Sequence, residues 1–353
     1  MYRIVFDCER MKYPCTGLFS YCAQLGMQLG KAIDTDCEEL SYYTPPDVVG
    51  VFGNDYNYIA QNSLQKFFLP SLSSFDVWHA TYQGSQYLPK LNKRIKVVLT
   101  IHDLNFLYDQ KKPQFKKLKH LRHLQHNIDR SDALICISEF CKNDVLTHCK
   151  VGHKPIHVIH NGTNSLVEPF LSVSSYKPKT QFLFSIGVIN RKKNFHVLLP
   201  LLQHNHDMEL LIAGPPDDPD YIHYIKDSAQ KLGVAEQVQM LGAISESEKS
   251  WYYQNCYAFT FPSLAEGFGL PVTEAMSVGK PVFLSDKSAL PEIGKDVAFY
   301  FSDFNGNRMQ KVFTKGMEQY KSSNSLKEKI KKRSTEFCWR KAAAQYLDVY
   351  RSL

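Results

Sequence analysis

At 353 residues the chain is too long for one ordinary core, so two domains are expected. Its make-up, 44% hydrophobic and 22% charged, is that of a soluble globular protein, and a net charge of +7 admits anionic ligands or an anionic surface while falling short of a nucleic-acid signature. No apolar run approaches the roughly 20 residues of a membrane span. The opening MYRIVFDCERM turns charged too soon for a signal peptide, so the expected location is cytoplasmic. Nine scattered cysteines, an odd number, fit that compartment.

In chain order, YRIVFD (2–7), VVGVFG (48–53), VWHA (77–80), KVVLTIHD (96–103), ALICIS (133–138) and IHVIHN (156–161) are the predicted strands of the first half. QFLFSIG (181–187), ELLIAG (209–214), VQMLG (238–242), YAFTFP (257–262), PVFLS (281–285) and VAFYF (297–301) are those of the second. Many lack in/out alternation, as parallel strands covered on both faces do. Helical patterns lie between them, which argues for doubly wound α/β layers. The segment SLVEPFLSVSSYKPKT (165–180) breaks this rhythm and marks the domain boundary. The expected architecture is α/β, two Rossmann-like domains facing a central cleft, with ligands at the carboxyl ends of the strands. The tail, with Phe337, Ala342, Tyr346 and Tyr350 at helical spacing, reads as a terminal packing helix.

Several smaller signals lie along the way. PCTGLFSY places Gly17 between the first strand and its helix, and the lack of a full G-x-G-x-x-G disfavours a nicotinamide or flavin enzyme. In TIHD, His102 ends a strand and Asp103 suits a cap for the next turn. His79 lies in another strand, WHATYQ. Residues 111–130 put Leu118, Leu121, Leu124 and Ile128 on one helical face among Lys116, Lys117, Lys119 and Arg122. Two readings stay open there: a helix resting on anionic lipid headgroups, or an apolar stripe facing the core under solvated lysines. HCKVGHKPIHVIH (148–160) matches no zinc spacing, and DDPD (217–220) reads as a solvent-facing loop, so no metal site is expected.

The densest signal is FPSLAEGFGLPVTEAMSVGKPVFLS (261–285). Pro271 suits the first helical position and Gly279 the helix end, which puts Glu274 in the first turn and Glu266 on the loop before it. Gly267 and Gly269 allow close backbone approach or positive φ. Free N–H groups around Val272 and Thr273 then suit a phosphate. A carboxylate beside a phosphate makes sense if Glu274 accepts two hydrogen bonds from ribose hydroxyls and Glu266 binds hexose hydroxyls.

This stretch resembles the E-x7-E signature of the retaining GT-B glycosyltransferases of family GT4. SIGVINRKKN (185–194), LLIAGPP, LGAISESE, SDKSALPEIG and TIHDLNFLY fall in that family's order and spacing, most specifically from Phe182 to Asp303. The resemblance implies that Arg191 and Lys193, after the strand glycine Gly187, hold the donor diphosphate and stabilise its growing charge. Glu266 would meet the donor sugar and Glu274 the ribose. Phe268, Gly269 and Leu270 would lie along the donor, with Val272 and Thr273 at its phosphates. His102 would reach the donor sugar, Gly17 would approach the diphosphate and acceptor, Cys15 and Thr16 would line the acceptor side, and His79 is a second acceptor candidate. The chain departs from the pattern at Val188, where relatives carry arginine, and that weakens an exact copy of the phosphate clamp.

On that resemblance, residues 1–168 form a Rossmann-like acceptor-binding domain and 179–335 a nucleotide-sugar-binding domain. Residues 336–353 form a helix packing back towards the first. The implied activity is retaining transfer of a hexose from a nucleotide-diphosphate sugar to a glycan or lipid-linked acceptor, in surface polysaccharide or lipopolysaccharide synthesis. GDP-mannose or a related hexose is preferred, and a UDP-linked donor fits nearly as well. No cofactor or metal is expected, nor any nucleic-acid partner. Peripheral contact with the inner face of the cytoplasmic membrane would run through 111–130. The alternatives are an inert GT-B partner subunit or a nucleotide-sugar epimerase.

Overall fold

The computed structural model describes every residue except 15, 68, 70, 71, 90–93, 110 and 168–175, together with all side chains but that of 324. Cys15 and half of the stretch that broke the strand rhythm therefore lie outside the described residues. The chain forms two compact units, Met1–Gly162 with Cys338–Leu353, and Thr163–Phe337. The second unit thus begins inside the span assigned to the first domain. Phe337, grouped by its spacing with the tail helix, belongs to the second unit, and the helix proper runs Trp339–Arg351.

In the first unit seven parallel strands take the order β3-β2-β1-β4-β5-β6-β7. They are β1 (Tyr2–Asp7), β2 (Glu38–Thr44), β3 (Asn57–Ala60), β4 (Val77–Ala80), β5 (Lys96–Ile101), β6 (Ala133–Cys136) and β7 (Ile156–Val158). Two of these differ from the sequence reading. The run VVGVFG is not a strand: 46–48 is a short 3-10 turn and the strand follows at β3. EELSYYT, not recognised, is β2, and it opens on a buried charge. Its Glu38 accepts two hydrogen bonds from Arg351, at 2.6 and 2.8 Å, so a partner 313 residues away makes that strand end tolerable.

The Trp339–Arg351 helix is fastened to this sheet by polar groups as well as apolar ones. His79 is wholly buried, with Nδ1 joined to the Tyr350 hydroxyl at 2.6 Å and Nε2 to Thr100 Oγ1 at 2.7 Å. Tyr21 donates on to Tyr346 at 2.8 Å. His79 is therefore a structural crosslink, and its candidacy for acceptor contact is corrected.

The second unit carries six parallel strands in the order β10-β9-β8-β11-β12-β13. They are β8 (Gln181–Ile186), β9 (Met208–Ala213), β10 (Val238–Gly242), β11 (Ala258–Phe261), β12 (Val282–Ser285) and β13 (Phe299–Phe301), all within a few residues of the predicted runs. From β8 the chain proceeds through β9 and β10 on one side, then returns to place β11, β12 and β13 on the other. The loops leaving β8 and β11 therefore emerge side by side at a topological switch point. In the first unit the same relation holds between β1 and β4. Among the described residues no helix is long and apolar enough to cross a membrane.

Burial pushes the His79 imidazole down from 6.5 to about 3 and that of His102 down to about 4, while burial pushes Asp7 up from 3.8 to about 7. A histidine with a depressed value supports folding fully above 6.5 and loses that support as pH falls. Asp7 works the other way, supporting folding below 3.8 and losing it as pH rises through 7. Two histidines against one aspartate leave a net gain with rising pH, steepest near pH 5, of up to about 1.4 kcal/mol per unit. Urea unfolding at several pH values between about 5 and 6.5 is expected to show this rise. A flat or falling trend would contradict the assigned burial.

Candidate active site

The loop leaving β8 begins at Gly187, whose φ of +150° is unfavourable for a side chain; a Cβ there would also meet Lys193 Cε at 2.8 Å. The turn continues through Arg191–Lys193 and ends on Asn194, itself left-handed at φ +59°. The loop leaving β11 lies against it. Leu264 N donates to the Lys192 carbonyl at 2.9 Å.

This contact brings Lys193 and Glu266 together although 73 residues separate them, with Nζ 2.6 Å from Oε1. Both side chains are largely buried, at 12% and 13% exposure. Ser263 Oγ donates to the same carboxylate oxygen, and Lys193 Nζ also lies 4.8 Å from the centre of the Phe261 ring. Burial works against the charge on Glu266, but Lys193, Lys192 and the hydrogen bonds outweigh it, so the carboxyl sits below its usual range. It is ionised at neutral pH, and so is an acceptor rather than an acid.

Arg191 behaves differently. Its Nε is 3.9 Å from Asp218 Oδ2, and its guanidinium lies over the Tyr221 and Tyr224 rings at 5.5 and 5.3 Å. Asp218, from the DDPD stretch, caps the Pro219–Lys231 helix by accepting from Tyr221 N. The structure thus joins Lys193 to Glu266 and places Arg191 in a neighbouring aromatic and acidic contact.

The Leu270–Ser277 helix corrects three expectations. Gly269, at φ +119°, is its N-cap, so Leu270 rather than Pro271 holds the first position and Glu274 falls one residue deeper, just past the first turn. The N–H groups of Val272 and Thr273 are not free: both donate to the Gly269 carbonyl, at 2.9 and 3.3 Å. Pro271, at the second position, has no N–H to offer. Finally, Glu274 is only 3% exposed and already accepts from Asn164 (2.8 Å), Lys249 (3.4 Å) and Tyr253 (3.0 Å). A carboxylate offers about four acceptor positions, so one remains, not the two assumed for a ribose diol. The Phe268 ring, also 3% exposed, packs edge-on against Phe337.

In the first unit His102 is buried, its N–H donating to Gln83 Oε1 at 3.1 Å and its Nε2 2.7 Å from the Thr81 carbonyl. A carbonyl only accepts, so Nε2 carries the proton, and a neutral imidazole with Nδ1 as acceptor results. Asp103 caps the next turn by accepting from Asn105 N at 2.9 Å. Gly17 is the first residue of the Gly17–Ala32 helix, capped by Thr16, with no atom within 4 Å of the place a Cβ would take. Sequence reasoning missed Ser263, Phe261, Asn164, Lys249 and Tyr253. The spacing of Lys249 and Tyr253 on one helix was the only available signal.

The model described as "Glycosyl transferases group 1" matches residues 170–333, and "Glycosyltransferase Family 4" matches 35–165. The chain belongs to these glycosyltransferases. The enzyme is 26% identical over 280 residues to the serotype-specific mannosyltransferase WbdA of Escherichia coli, covering 72% of this chain and 33% of that protein. It thus spans about a third of the length of that relative. It is 22% identical to the O-antigen chain mannosyltransferase B of Escherichia coli, over 99% of this chain and 100% of that one. Among solved structures it is similar to Anabaena HepE in complex with UDP and glucose, with a TM-score of 0.75 and 15% identity over all of both chains. The fold is that of a GT-B glycosyltransferase.

Removing Lys193 leaves Glu266 as a buried charge without its cation, a change that costs about 3–5 kcal/mol. Lys193→Met should therefore destabilise the transferase strongly in urea unfolding, and the double variant Lys193→Met with Glu266→Gln should recover much of the loss. Equal stability of the single and double variants would show that the pair is not coupled.

Proposed function

We propose that this glycosyltransferase moves a hexose, mannose by preference, from a nucleoside-diphosphate sugar to a glycan or lipid-linked acceptor of a surface polysaccharide, with retention at the anomeric carbon. The observation that carries the reading is the Lys193–Glu266 pair at the switch point of the second sheet, beside the Gly269 helix start. There a fixed cation and a helix N-terminus meet the diphosphate, whose charge grows as the glycosidic bond breaks. They stabilise that state more than the bound donor. Glu266, ionised and held by Ser263 and Lys193, accepts from donor-sugar hydroxyls, and Glu274 from a ribose hydroxyl. These fixed charges take the part a metal would play, so the transfer needs none. The relatives named as O-antigen or serotype-specific mannosyltransferases support mannose and a polysaccharide product. The nucleotide bound in HepE supports a nucleoside diphosphate as leaving group. Retention and front-face departure come from the family resemblance.

The nucleotide is tested by thermal shift with GDP, UDP, ADP and dTDP in EDTA. A ligand at a hundred times its dissociation constant should stabilise the fold by about 2.7 kcal/mol. With the nucleotide so found as donor leaving group, Lys193→Ala should lower kcat by about 10²–10³-fold. No shift by any nucleotide, or a metal requirement for transfer, would overturn the reading.

We also propose that the transferase rests on anionic lipid through the first half of the Gln114–Arg130 helix. Leu124 and Ile128 face the core, but Phe115 (67%) and Leu118 (42%) are exposed among Lys116, Lys119 and Arg122. Each of the two readings of that stripe thus describes one half of the helix. Sedimentation with anionic vesicles should show binding at low salt that fades as salt rises, and that Phe115→Asp with Leu118→Asp abolishes. No binding at low ionic strength would sink this proposal.

A further inference from the structure

A carboxylate as deeply placed as Glu274 needs fixed polar groups to replace its water. The groups that do so come from outside the loop and helix that carry it. Oε1 receives Asn164 Nδ2 and Lys249 Nζ, and Oε2 receives the Tyr253 hydroxyl. Lys249 and Tyr253 stand four residues apart, on one face of the Glu246–Asn255 helix. Lys249 is also tied at the surface, its Nζ 2.7 Å from Glu246 Oε2. Burial acts to discharge this lysine, but Glu274 and Glu246 outweigh it and leave its pKa raised. Burial, and then the charge on Glu274, pushes the Tyr253 phenol well up. Both side chains therefore remain donors at neutral pH, one cationic and one neutral. Two rigidly placed donors fix the orientation of the carboxylate and leave Oε2 one acceptor position.

We propose that Lys249 and Tyr253 are positioning residues for nucleotide recognition, holding Glu274 so that Oε2 takes a single ribose hydroxyl. This rests on the assignment of Glu274 to the ribose. Neither residue touches the nucleotide; each acts through the carboxylate. Loss of either donor frees the carboxylate to turn away from the hydroxyl it is to accept from. The expected consequence is selective. Contacts to the diphosphate, made elsewhere in the unit by Lys193 and the Gly269 helix start, are kept, while the preference for ribose is lost.

The test compares calorimetric affinities of UDP and GDP with those of their 2′,3′-dideoxy counterparts, for the full chain and for Lys249→Met, Lys249→Arg and Tyr253→Phe. The unaltered protein should prefer the ribose form of its nucleotide by about tenfold or more, the worth of a hydrogen bond to a charged acceptor. In Lys249→Met and Tyr253→Phe that ratio should fall towards unity with dideoxy affinity unchanged, while Lys249→Arg retains it. If the unaltered protein shows the preference and both variants keep it, Lys249 and Tyr253 do not position Glu274. If the variants lose affinity for both forms alike, their role is structural and the proposal fails. If the unaltered protein binds ribose and dideoxy forms equally, the assignment of Glu274 to the ribose falls first. Tyr253→Phe keeps the ring's packing and guards against a fold lost in the lysine variant.

Discussion

A carboxylate withdrawn from water must be compensated or it will take up a proton, and the second unit of this glycosyltransferase is arranged around two of them. Glu266 is compensated across the switch point by Lys193 and Ser263, Glu274 by a helix face and by Asn164. Each arrangement joins segments distant in sequence, so the loops that surround them cannot take their shapes independently. Breaking such a pair leaves an uncompensated charge, which costs far more than the pair contributes when intact. That asymmetry is a physical reason for the loop leaving β8 and the loop leaving β11 to be knitted by backbone bonds at Lys192 and Leu264.

The sheet makes this possible. Parallel strands all deliver their carboxyl ends to one edge, and the reversal of strand order at β8 and β11 opens the place where two loops meet instead of passing over a crossover helix. The glycines of that edge follow from crowding. At Gly187 a side chain would collide with the lysine stem that the site needs. At Gly269 the left-handed backbone turns the chain into its helix.

In the first unit the same demand for compensation explains the return of the chain after the second. The helix Trp339–Arg351 supplies Tyr350 to His79 and Arg351 to Glu38, so the two strands that flank β1 have polar groups satisfied from one helix. His79 and His102 both lie at or just past the carboxyl end of a strand and look alike in sequence. One is enclosed on both ring nitrogens, while the other uses Nε2 on a carbonyl and keeps Nδ1 as acceptor. Strand-end position could not separate them, because the difference lies in which helix covers each ring.

Sequence alone determined the parallel α/β layers, since runs such as QFLFSI and MELLIA are apolar on both faces and can only be strands buried from both sides. The resemblance to a glycosyltransferase signature grouped Glu266, Glu274, Lys193 and Gly269, and the fold joins Lys193 to Glu266 across 73 residues. Sequence alone misread VVGVFG, where hydrophobicity without a sheet neighbour makes only a turn, and passed over EELSYYT, whose charge is answered by Arg351 far along the chain. Tertiary structure alone decided that Val272 and Thr273 spend their N–H groups on Gly269, and that Glu274 has one acceptor position left. It likewise turned Arg191 towards Asp218. Such outcomes depend on which donors and acceptors distant segments bring within 3 Å or so, a competition that hydrogen bonding settles only once the chain has folded.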